Sequence, residues 1–402
     1  MARTGPSRNG VAPSIDMKKI RLGIIGVGSM GAAHAGWIVS GMTPHIELTA
    51  VADRDPKVLE LSGAPHKYEE GHALIASGTC DAVLIATPHY AHTELGIAAL
   101  DAGLHVLIEK PISVHVADCR RLIAAHKGKD QVFAAMFNQR TDPHYLKLRE
   151  LLKTGELGVV QRVQWTVTNW FRTQAYYSSG GWRATWAGEG GGVLLNQSLH
   201  NLDLIQWIFG MPERVTAICK FGRYHDIEVE DDVTACMEYP DGSTATFIAS
   251  TGEFPGTNRL EVACDRGRMV LEDGNLKWIR TAQGVAEFCR TSPEKWSGPD
   301  VWNVEVPVNG SGDQHIGVLN NFADAILDQA PLIAPASDGI HSVELANAMI
   351  YSGWTGRPVS LPLDSTAFDA ALKEKIASSR FVKKVIELAP APRDLANSFG
   401  KL

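Results

Sequence analysis

The sequence lacks several features that mark particular classes of protein. The formal net charge is −7 over 402 residues, and no basic cluster is interleaved with aromatic side chains, which argues against a nucleic-acid partner. No run approaches the roughly 18 apolar residues that a membrane span needs, so we expect no membrane partner. The first residues, MARTGPSRNGVAPSID, lack the apolar stretch of a signal peptide, and we predict a cytoplasmic protein.

Cysteine is scarce and scattered. The chain has six cysteines, and none of them forms a Cys-x-x-Cys pair: Cys80, Cys119, Cys219, Cys236, Cys264, Cys289. A zinc site built from thiolates is therefore not expected, and we predict no metal. Isolated cysteines in a chain of this size fit a reducing compartment better than a disulfide framework.

The first third of the chain alternates between apolar strands and helical segments. The strands are predicted in IRLGIIG, IELTAVAD, CDAVLIA, HVLIE and QVFAAMF, and one intervening helix ends at Gly103. Such alternation predicts a parallel sheet covered by helices. The first strand runs into Gly26-Val27-Gly28-Ser29-Met30-Gly31, a G-x-G-x-x-G that opens a helix. In this context the motif predicts a dinucleotide pyrophosphate at the helix start.

An acidic residue indicates which dinucleotide binds. Asp53 ends the second predicted strand, about 20 residues after the glycines, where a carboxylate accepts hydrogen bonds from ribose hydroxyls and repels a 2′-phosphate. NAD is therefore favoured over NADP, although the adjacent Arg54 could receive a phosphate. Asp53 could also serve as a helix N-cap, a role compatible with the first.

Polar residues follow two other predicted strands where those strands end. Thr87-Pro88 follows the third strand and leads to His89 and His92, and Glu109-Lys110-Pro111 follows the fourth. Ligands of doubly wound sheets bind at this carboxyl edge, so these side chains are predicted to lie near a cofactor. The alternative is that each histidine belongs to an ordinary helix start.

The second half is rich in predicted strands. Alternating stretches such as VQRVQWTVTNW and VTACMEY, with a turn at Asp241-Gly242, predict an antiparallel sheet with one buried face. One helix is predicted from Val193 to Gly210, with Asn196, His200, Asp203 and Trp207 on one face. This polar stripe is either solvent-facing or functional. The preceding three glycines permit close approach of another backbone or a ligand.

Taken together, the pieces predict an α/β protein. We expect an N-terminal Rossmann doubly wound parallel sheet and a C-terminal α+β domain with a large, mostly antiparallel open sheet. The predicted divisions are a flexible leader, an NAD-binding domain, a substrate and oligomerisation domain, and a helical tail: residues 1–17, 18–140, 141–362 and 363–402.

The chain resembles the glucose–fructose oxidoreductase, inositol dehydrogenase and rhizopine catabolism (Gfo/Idh/MocA) family. The matching stretches occur in the expected order: GVGSMG, ATPHYAH, EKPIS, FNQR, GGWR and GGGVLLNQSLHNLD. The resemblance implies a nicotinamide cofactor and a sugar or cyclitol substrate, with Lys110 as catalytic lysine and His200 as acid/base histidine. It also implies that the bond before Pro111 is cis. Asn196 stands where the family usually has an aspartate, as in branches that act on glycosides or nucleotide sugars.

Pattern and resemblance together predict two sets of site residues. The cofactor-contacting set is Gly26, Gly28, Ser29, Met30, Asp53, Arg54, Thr87, Pro88, His89, His92, Glu109, Lys110, Asn138, Trp182 and Arg183. The substrate-contacting set is Lys110, Arg140, Trp170, Arg172, Tyr176, Arg183, Asn196 and His200, since aromatic faces stack on sugar rings and arginines bind hydroxyl or acid groups. His315 is a further, isolated candidate.

Three functions use such a site. The first is NAD-dependent hydride transfer at a ring hydroxyl of a sugar, glycoside or cyclitol, with Lys110 and His200 as the catalytic pair. The second is a glycosidase that oxidises the sugar transiently, eliminates the aglycone and returns the hydride. The third is a sugar or NAD sensor, which the presence of both Lys110 and His200 disfavours. The expected partners are a small-molecule sugar or glycoside and further copies of the chain, in a homodimer or homotetramer through the open sheet.

Overall fold

The computed structural model describes residues 19–128 and 130–386. The predicted leader, residues 1–17, and positions 387–402 of the predicted tail lie outside the described residues. Within them the chain forms two sheets, one of six strands and one of nine, covered by helices. The predicted combination of a parallel sheet with a larger, mostly antiparallel sheet is confirmed.

The first sheet is parallel and doubly wound, in the spatial order β3-β2-β1-β4-β5-β6. Its strands are β1 (Ile20–Ile25), β2 (Ile46–Ala52), β3 (His66–Tyr68), β4 (Ala82–Ile85), β5 (His105–Ile108) and β6 (Phe133–Ala135). The order reverses between β1 and β4, and a crevice at this point is the ligand site of doubly wound sheets. The sequence predicts every strand except β3, whose residues His-Lys-Tyr carry no apolar run and none of which is fully buried.

Five helices connect these strands: α1 (Ser29–Val39), α2 (Pro56–Leu61), α3 (Gly71–Ala76), α4 (Tyr90–Asp101) and α5 (Val116–Ala125). α2 begins where the Asp55 side chain accepts from the backbone N–H of Lys57, with a proline in the first turn. The N-cap is therefore Asp55, and the interpretation of Asp53 as the cap is wrong. α4 ends just before Gly103, whose φ of +80° suits a helix terminus, as predicted.

The second sheet has the order β14-β13-β12-β11-β7-β10-β9-β8-β15. Its strands are β7 (Val160–Val167), β8 (Arg214–Phe221), β9 (Glu230–Glu238), β10 (Thr244–Ser250), β11 (Asn258–Cys264), β12 (Gly267–Glu272), β13 (Asn275–Thr281), β14 (Val301–Val306) and β15 (Val359–Ser360). Neighbouring strands are antiparallel except β7 and β10, which run parallel. The predicted turn at Asp241-Gly242 joins β9 to β10, and Gly242 has a φ of +85°. The sequence misses β8, β14 and β15.

Helices cover one face of the second sheet and leave the other exposed. The remaining helices are α6 (Pro143–Lys153), α7 (Gln174–Ser178), α8 (Leu199–Phe209), α9 (Val285–Thr291), α10 (Gln314–Asp328), α11 (Gly339–Thr355) and α12 (Ser365–Ser378). α11 packs on β8, where Val215 and Ala217 are buried and the alternate Ile218 is 62% exposed. In the part of the chain that the structure describes, no helix is both long and apolar enough to cross a membrane.

Helix α10 belongs by packing to the first sheet, although it lies late in the sequence. Val318, Leu319 and Phe322 share a buried cluster with Leu22 of β1 and Leu107 of β5. The chain also meets the sheet edge at β6, where the N–H of Ala135 donates to the carbonyl oxygen of Ala334 at 3.0 Å. The second half of the chain thus contributes buried residues to the first sheet, and the division at residue 140 stays a prediction.

Helix α8 begins at Leu199 and not at the predicted Val193. Residues 193–198 form turns packed against β9, with the N–H of Val193 donating to the carbonyl oxygen of Glu230 at 2.9 Å. A Cβ on Gly192 would lie 2.0 Å from that same oxygen, so the glycine permits the approach of a backbone. Asn196 consequently lies outside the helix that carries His200 and Asp203.

Candidate active site

The carboxyl ends of β1, β4 and β5 bring the predicted cofactor and catalytic residues to one edge of the first sheet. β1 leads into the glycine turn, β4 into Thr87-Pro88 and β5 into Glu109-Lys110. Thr87 Oγ1 is buried without a hydrogen-bond partner among the described residues. Because β1 and β4 flank the point where strand order reverses, this edge has the geometry of a ligand crevice.

The three glycines of the turn have different spatial surroundings. Gly26 has a φ of +90°, and a Cβ there would meet the backbone of Ala86 at 2.8 Å. A Cβ on Gly31 would lie 1.9 Å from the carbonyl oxygen of Gly26, so this glycine lets α1 pack against the turn. A Cβ on Gly28 would meet nothing within 4 Å, and the adjoining Ser29 at the start of α1 is exposed. Open space beside a helix N-terminus fits a pyrophosphate.

Asp53 lies beside this turn at the end of β2. Its Oδ2 accepts from the N–H of Val27 at 2.7 Å, and its Oδ1 accepts from the N–H of Asp55 at 3.0 Å. Each carboxylate oxygen keeps a lone pair for a ribose hydroxyl. Arg54 is turned to solvent, with its side chain 85% exposed and 3.4 Å from Glu70. The acid is thus oriented at the turn, while the neighbouring cation has a carboxylate partner.

Lys110 reaches from the first sheet to the second part of the chain. Its Nζ donates to the backbone carbonyl oxygen of Asn196 at 2.7 Å and lies 3.5 Å from the Asn196 Oδ1. Burial, together with the charge of Arg183, lowers the pKa of Lys110 to about 8, although Glu109 opposes this change. The Lys110–Pro111 bond is cis, as the resemblance implies.

A buried carboxylate–imidazole pair supports the turn that carries Lys110. Glu109 Oε1 lies 2.8 Å from Nε2 of His34, a residue of α1. Burial works against the charge of Glu109, but the His34 contact and the nearby His315 bring its pKa down to about 2. His315 is itself buried, and burial lowers its pKa to about 4. Sequence reasoning missed His34, and the only available signal was a histidine in the apolar stretch GAAHAG.

His89 and His92 are both buried, and each has a ring nitrogen within hydrogen-bond distance of a backbone carbonyl oxygen. The His92 ring lies between two carbonyl oxygens, with Nδ1 2.7 Å from that of Pro111 and Nε2 2.8 Å from that of Thr87. Burial lowers the pKa of His92, so the neutral ring donates to one oxygen at a time. His92 thereby ties two turns of the edge together, and these bonds do not support its predicted contact with a cofactor. The Nδ1 of His89 lies 3.1 Å from the carbonyl oxygen of Glu189.

His200 lies in the first turn of α8 and is buried. Its Nδ1 has no hydrogen-bond partner among the residues that the structure describes. Burial, together with the charges of Lys110 and His315, lowers the pKa of His200 well below its usual range. The imidazole is therefore neutral, and it lies within the electrostatic reach of Lys110.

Asn196 connects Lys110 to a carboxylate that sequence reasoning did not single out. Its Nδ2 donates to Oε1 of the buried Glu189, and Oε2 of Glu189 accepts from the N–H of Ala184 at 2.6 Å. Burial raises the pKa of Glu189, while Arg183 opposes the change. The carboxylate of Glu189 thus lies beside the Asn196 side chain, although position 196 itself carries an amide. The available signal was a lone charge among the glycines of GEGGG.

A group of aromatic and arginine side chains surrounds Tyr176 in the loop before these glycines. The Tyr176 hydroxyl accepts from Nη1 of Arg183 at 2.8 Å and from Nε2 of Gln197 at 3.1 Å. Two guanidinium groups lie over its ring, those of Arg172 at 5.2 Å and Arg183 at 4.7 Å from the centroid. Trp182 continues the row beside the ring of His89, at 5.0 Å between centroids. Arg172, Tyr176 and Arg183 of the predicted substrate-contacting set are therefore adjacent. Trp182 of the predicted cofactor-contacting set lies next to them.

Two predicted site residues, Arg140 and Trp170, bind mainly to the protein itself. Arg140 is buried and donates to both carboxylate oxygens of Asp203 at 2.7 Å and to Asp338 at 2.8 Å. Its guanidinium N–H groups are thus engaged in ion pairs within the protein. Trp170 is buried, with Nε1 3.4 Å from an amide oxygen of Asn201. Neither geometry supports the predicted substrate contact. Asn138 differs, because its Nδ2 donates to Gln314 at 2.7 Å while its buried Oδ1 has no partner among the described residues.

Comparisons with known proteins agree with this architecture. The family model described as "Oxidoreductase family, NAD-binding Rossmann fold" matches residues 20–137. The family model described as "GFO/IDH/MocA C-terminal domain" matches residues 145–270. The chain therefore belongs to the Gfo/Idh/MocA family of NAD-binding oxidoreductases, as its motifs predict.

Individual relatives act on sugars and cyclitols. Myo-inositol 2-dehydrogenase of Thermotoga maritima is 30% identical over 63% of this chain and 75% of its own. Levoglucosan dehydrogenase of Pseudarthrobacter phenanthrenivorans is 21% identical over 86% of this chain and 99% of its own. The crystal structure of the WlbA dehydrogenase from Bordetella pertussis with NADH and UDP-GlcNAcA superposes with a TM-score of 0.73 at 23% identity, covering 86% of this chain and all of that one. The last likeness shows a shared fold.

Proposed function

We propose that the protein transfers a hydride between NAD and a ring hydroxyl of a sugar, glycoside or cyclitol, with Lys110 and His200 as the catalytic pair. One observation carries the proposal. The ammonium of Lys110, at the carboxyl edge of an NAD-binding sheet, is held 2.7 Å from the carbonyl oxygen of Asn196, and its charge acts on the buried, neutral His200. Besides a hydride acceptor, which NAD would supply, carbinol oxidation uses a hydrogen-bond donor and a proton acceptor at the hydroxyl oxygen.

The chain offers fitting contacts for the coenzyme. Gly28 and Ser29 leave open space at the start of α1 for the pyrophosphate, and Asp53 is oriented to accept from ribose hydroxyls. The unpartnered Asn138 Oδ1 can accept a hydrogen bond, and Thr87 Oγ1 can donate one. NAD, when bound, accepts the hydride from the carbinol carbon. The pairing of Arg54 with Glu70 gives no support to a 2′-phosphate contact.

Each catalytic side chain has a distinct part in the oxidation. His200, being neutral, accepts the hydroxyl proton on a ring nitrogen. At a pH below its pKa of about 8, Lys110 is protonated. Its positive charge stabilises the negative charge that develops on the carbinol oxygen. Tyr176, Trp182 and Arg183 offer ring faces and donors for the sugar, as the relatives that act on sugars suggest.

A screen with an inactive control tests the proposal. Purified protein is mixed with NAD and a panel of sugars, cyclitols and aryl glycosides, while NADH absorbance and released aglycone are followed together. We expect NADH to accumulate with at least one ring-hydroxyl substrate, and Lys110→Ala to lower this rate about 10³-fold while NADH binding is retained. Aglycone release without net NADH would replace the proposal with the redox-assisted glycosidase. Sugar binding without either signal would leave a sensor.

We also propose that copies of the chain associate through the exposed face of the second sheet. Alternate residues of β8, β9 and β10 leave Ile218, Thr234, Cys236 and Ile248 outside the core, flanked on the same face by the paired charges of Arg214 and Glu238. Burial of such a face between copies removes apolar area from water. Light scattering after gel filtration measures the mass, and Ile218→Lys is expected to lower it. A monomeric parent chain would contradict the proposal.

A further inference from the structure

The segment Ser379–Ile386 lies beyond the residues that the family descriptions match, yet it contacts the candidate site. This segment, here termed the strap, follows α12 without regular structure. It lies against residues 177–186, the stretch that carries Trp182 and Arg183. No motif in the sequence indicates a role for it.

Lys383 makes the principal contact of the strap. Its Nζ donates to two backbone carbonyl oxygens, those of Tyr177 and Arg183, each at 2.6 Å. These carbonyl groups lie at opposite ends of the stretch Ser178–Trp182, so one ammonium joins both ends of the loop. Gly180, inside this loop, has a φ of +71° and is followed by Gly181. Adjacent glycines give a loop many alternative conformations, and the ammonium reduces their number.

Two further contacts fix the strap on either side of Lys383. The N–H of Ile386 donates to the carbonyl oxygen of Ser178 at 3.1 Å. At the other end the Ser379 hydroxyl donates to Oε2 of Glu228, whose Oε1 accepts from the N–H of Trp186 at 2.8 Å. The strap is therefore hydrogen-bonded directly to both ends of the loop, and through Glu228 to Trp186, which follows the loop.

The loop stabilised in this way presents side chains to the crevice on its other side. Arg183 reaches the hydroxyl of Tyr176, and its charge contributes to the lowered pKa of Lys110. Trp182 packs beside His89 at the edge of the first sheet. A shift of the Arg183 backbone would thus displace Arg183, whose charge acts on Lys110, and the adjacent Trp182, which packs beside His89.

We propose that Lys383 is a positioning residue, which holds the loop 177–183 so that Trp182 and Arg183 meet the cofactor and the sugar. This role rests on the proposed function, since it acts through the same site. Lys383 touches neither reacting atom; it fixes the backbone from which the contacting side chains project. The strap is consequently a working part of the substrate site.

A matched pair of variants tests the proposal. Lys383→Met keeps the length and apolar stem of the side chain but removes the donors. Lys384→Met removes the adjacent charge, whose Nζ is 3.5 Å from Asp226 and whose side chain is 83% exposed. We expect Lys383→Met to speed amide hydrogen exchange in peptides covering residues 177–186 and to raise KM for the sugar about tenfold, with kcat within about threefold. Lys384→Met should match the parent in both measurements.

Truncation supplies a second comparison if Lys383→Met folds poorly. A chain that stops after Ile386 keeps the strap and one that stops after Ser378 loses it, so the difference between them isolates the segment. Parent-like exchange at residues 177–186 in Lys383→Met would overturn the proposal, as would faster exchange spread evenly over both sheets. Exchange needs no turnover. A loosened loop in a protein that oxidises no sugar would therefore contradict the proposed function and not the strap contact.

Discussion

Lys110 Nζ lies 2.7 Å from the backbone carbonyl oxygen of Asn196, although 86 residues separate them in the chain. The lysine follows a strand of the first sheet, and the asparagine lies in the turns that pack against the second. A hydrogen bond to a backbone oxygen does not depend on the side chain at position 196. Asparagine in place of the family's usual aspartate therefore leaves the principal anchor of the ammonium intact.

The pKa of Lys110, lowered to about 8 by burial and by Arg183, predicts the pH dependence of oxidation. The ammonium that stabilises the developing alkoxide is lost as the pH rises through that value, so kcat/KM should fall above about pH 8. Lys110→Arg keeps a positive charge that does not titrate in this range. The rate of this variant should be lower, but the fall of its kcat/KM should begin at a higher pH than in the parent. If kcat/KM of Lys110→Arg falls at the same pH as that of the parent, the titrating group is not Lys110.

The buried contact between His34 and Glu109 predicts a large loss of stability when only one partner is removed. His34→Phe leaves the Glu109 carboxylate buried without its partner at 2.8 Å, and we expect the free energy of unfolding to fall by about 3 kcal/mol. Urea unfolding measures this change. The double variant His34→Phe/Glu109→Gln should recover part of the loss, since no unpaired charge remains. Equal losses in the single and double variants would show that cavity or packing effects dominate.

Glu230 predicts a pH dependence of stability with the opposite sign to that of most carboxylates. Its Oε1 accepts from the N–H groups of Gly192 and Leu194, its Oε2 has no partner among the described residues, and burial raises its pKa to about 8. The folded state therefore binds a proton that the unfolded state releases near its ordinary pKa of 4.5. The Glu230 contribution to stability is complete below that value and declines as the pH rises toward about 8.

Glu230→Gln removes this titration while keeping an acceptor for the two N–H groups. We expect the variant to be at least about 1 kcal/mol more stable than the parent at pH 8, with a smaller difference at acidic pH. Chemical unfolding across this pH range provides the comparison. A parallel pH profile in parent and variant would mean that Glu230 is ionised in the folded protein.

The sequence predicted those parts of the fold that local patterns specify. The apolar strands of the first sheet, the glycine turn and the Asp241-Gly242 hairpin each have a signature within a few residues. β3 and β15 carry no such signature, because three and two residues respectively cannot show a repeat. The start of α8 was placed too early because residues 193–195 are apolar and continue the helical spacing, while the packing of this stretch against Glu230 depends on a distant strand.

Partners of buried polar groups were the features that the sequence could not specify. Lys110 and His200 were identified through motifs, but motifs do not report that Arg140 pairs with Asp203 or that His92 lies between two carbonyl oxygens. His34 and Glu189 were missed for the same reason. His34 acquires its importance from a contact with Glu109, 75 residues away, and Glu189 from a contact with Asn196 across the turn that joins them.

Helix α10 carries Phe322 into the core that β1 and β5 share, although it comes from the second half of the sequence. A fragment ending near residue 140 would expose Leu22 and Leu107 to water on that side of the sheet. We therefore expect such a fragment to lack part of the buried core of the first sheet. The first sheet can complete its core only after α10 has been synthesised, so we expect this sheet to finish folding late in translation.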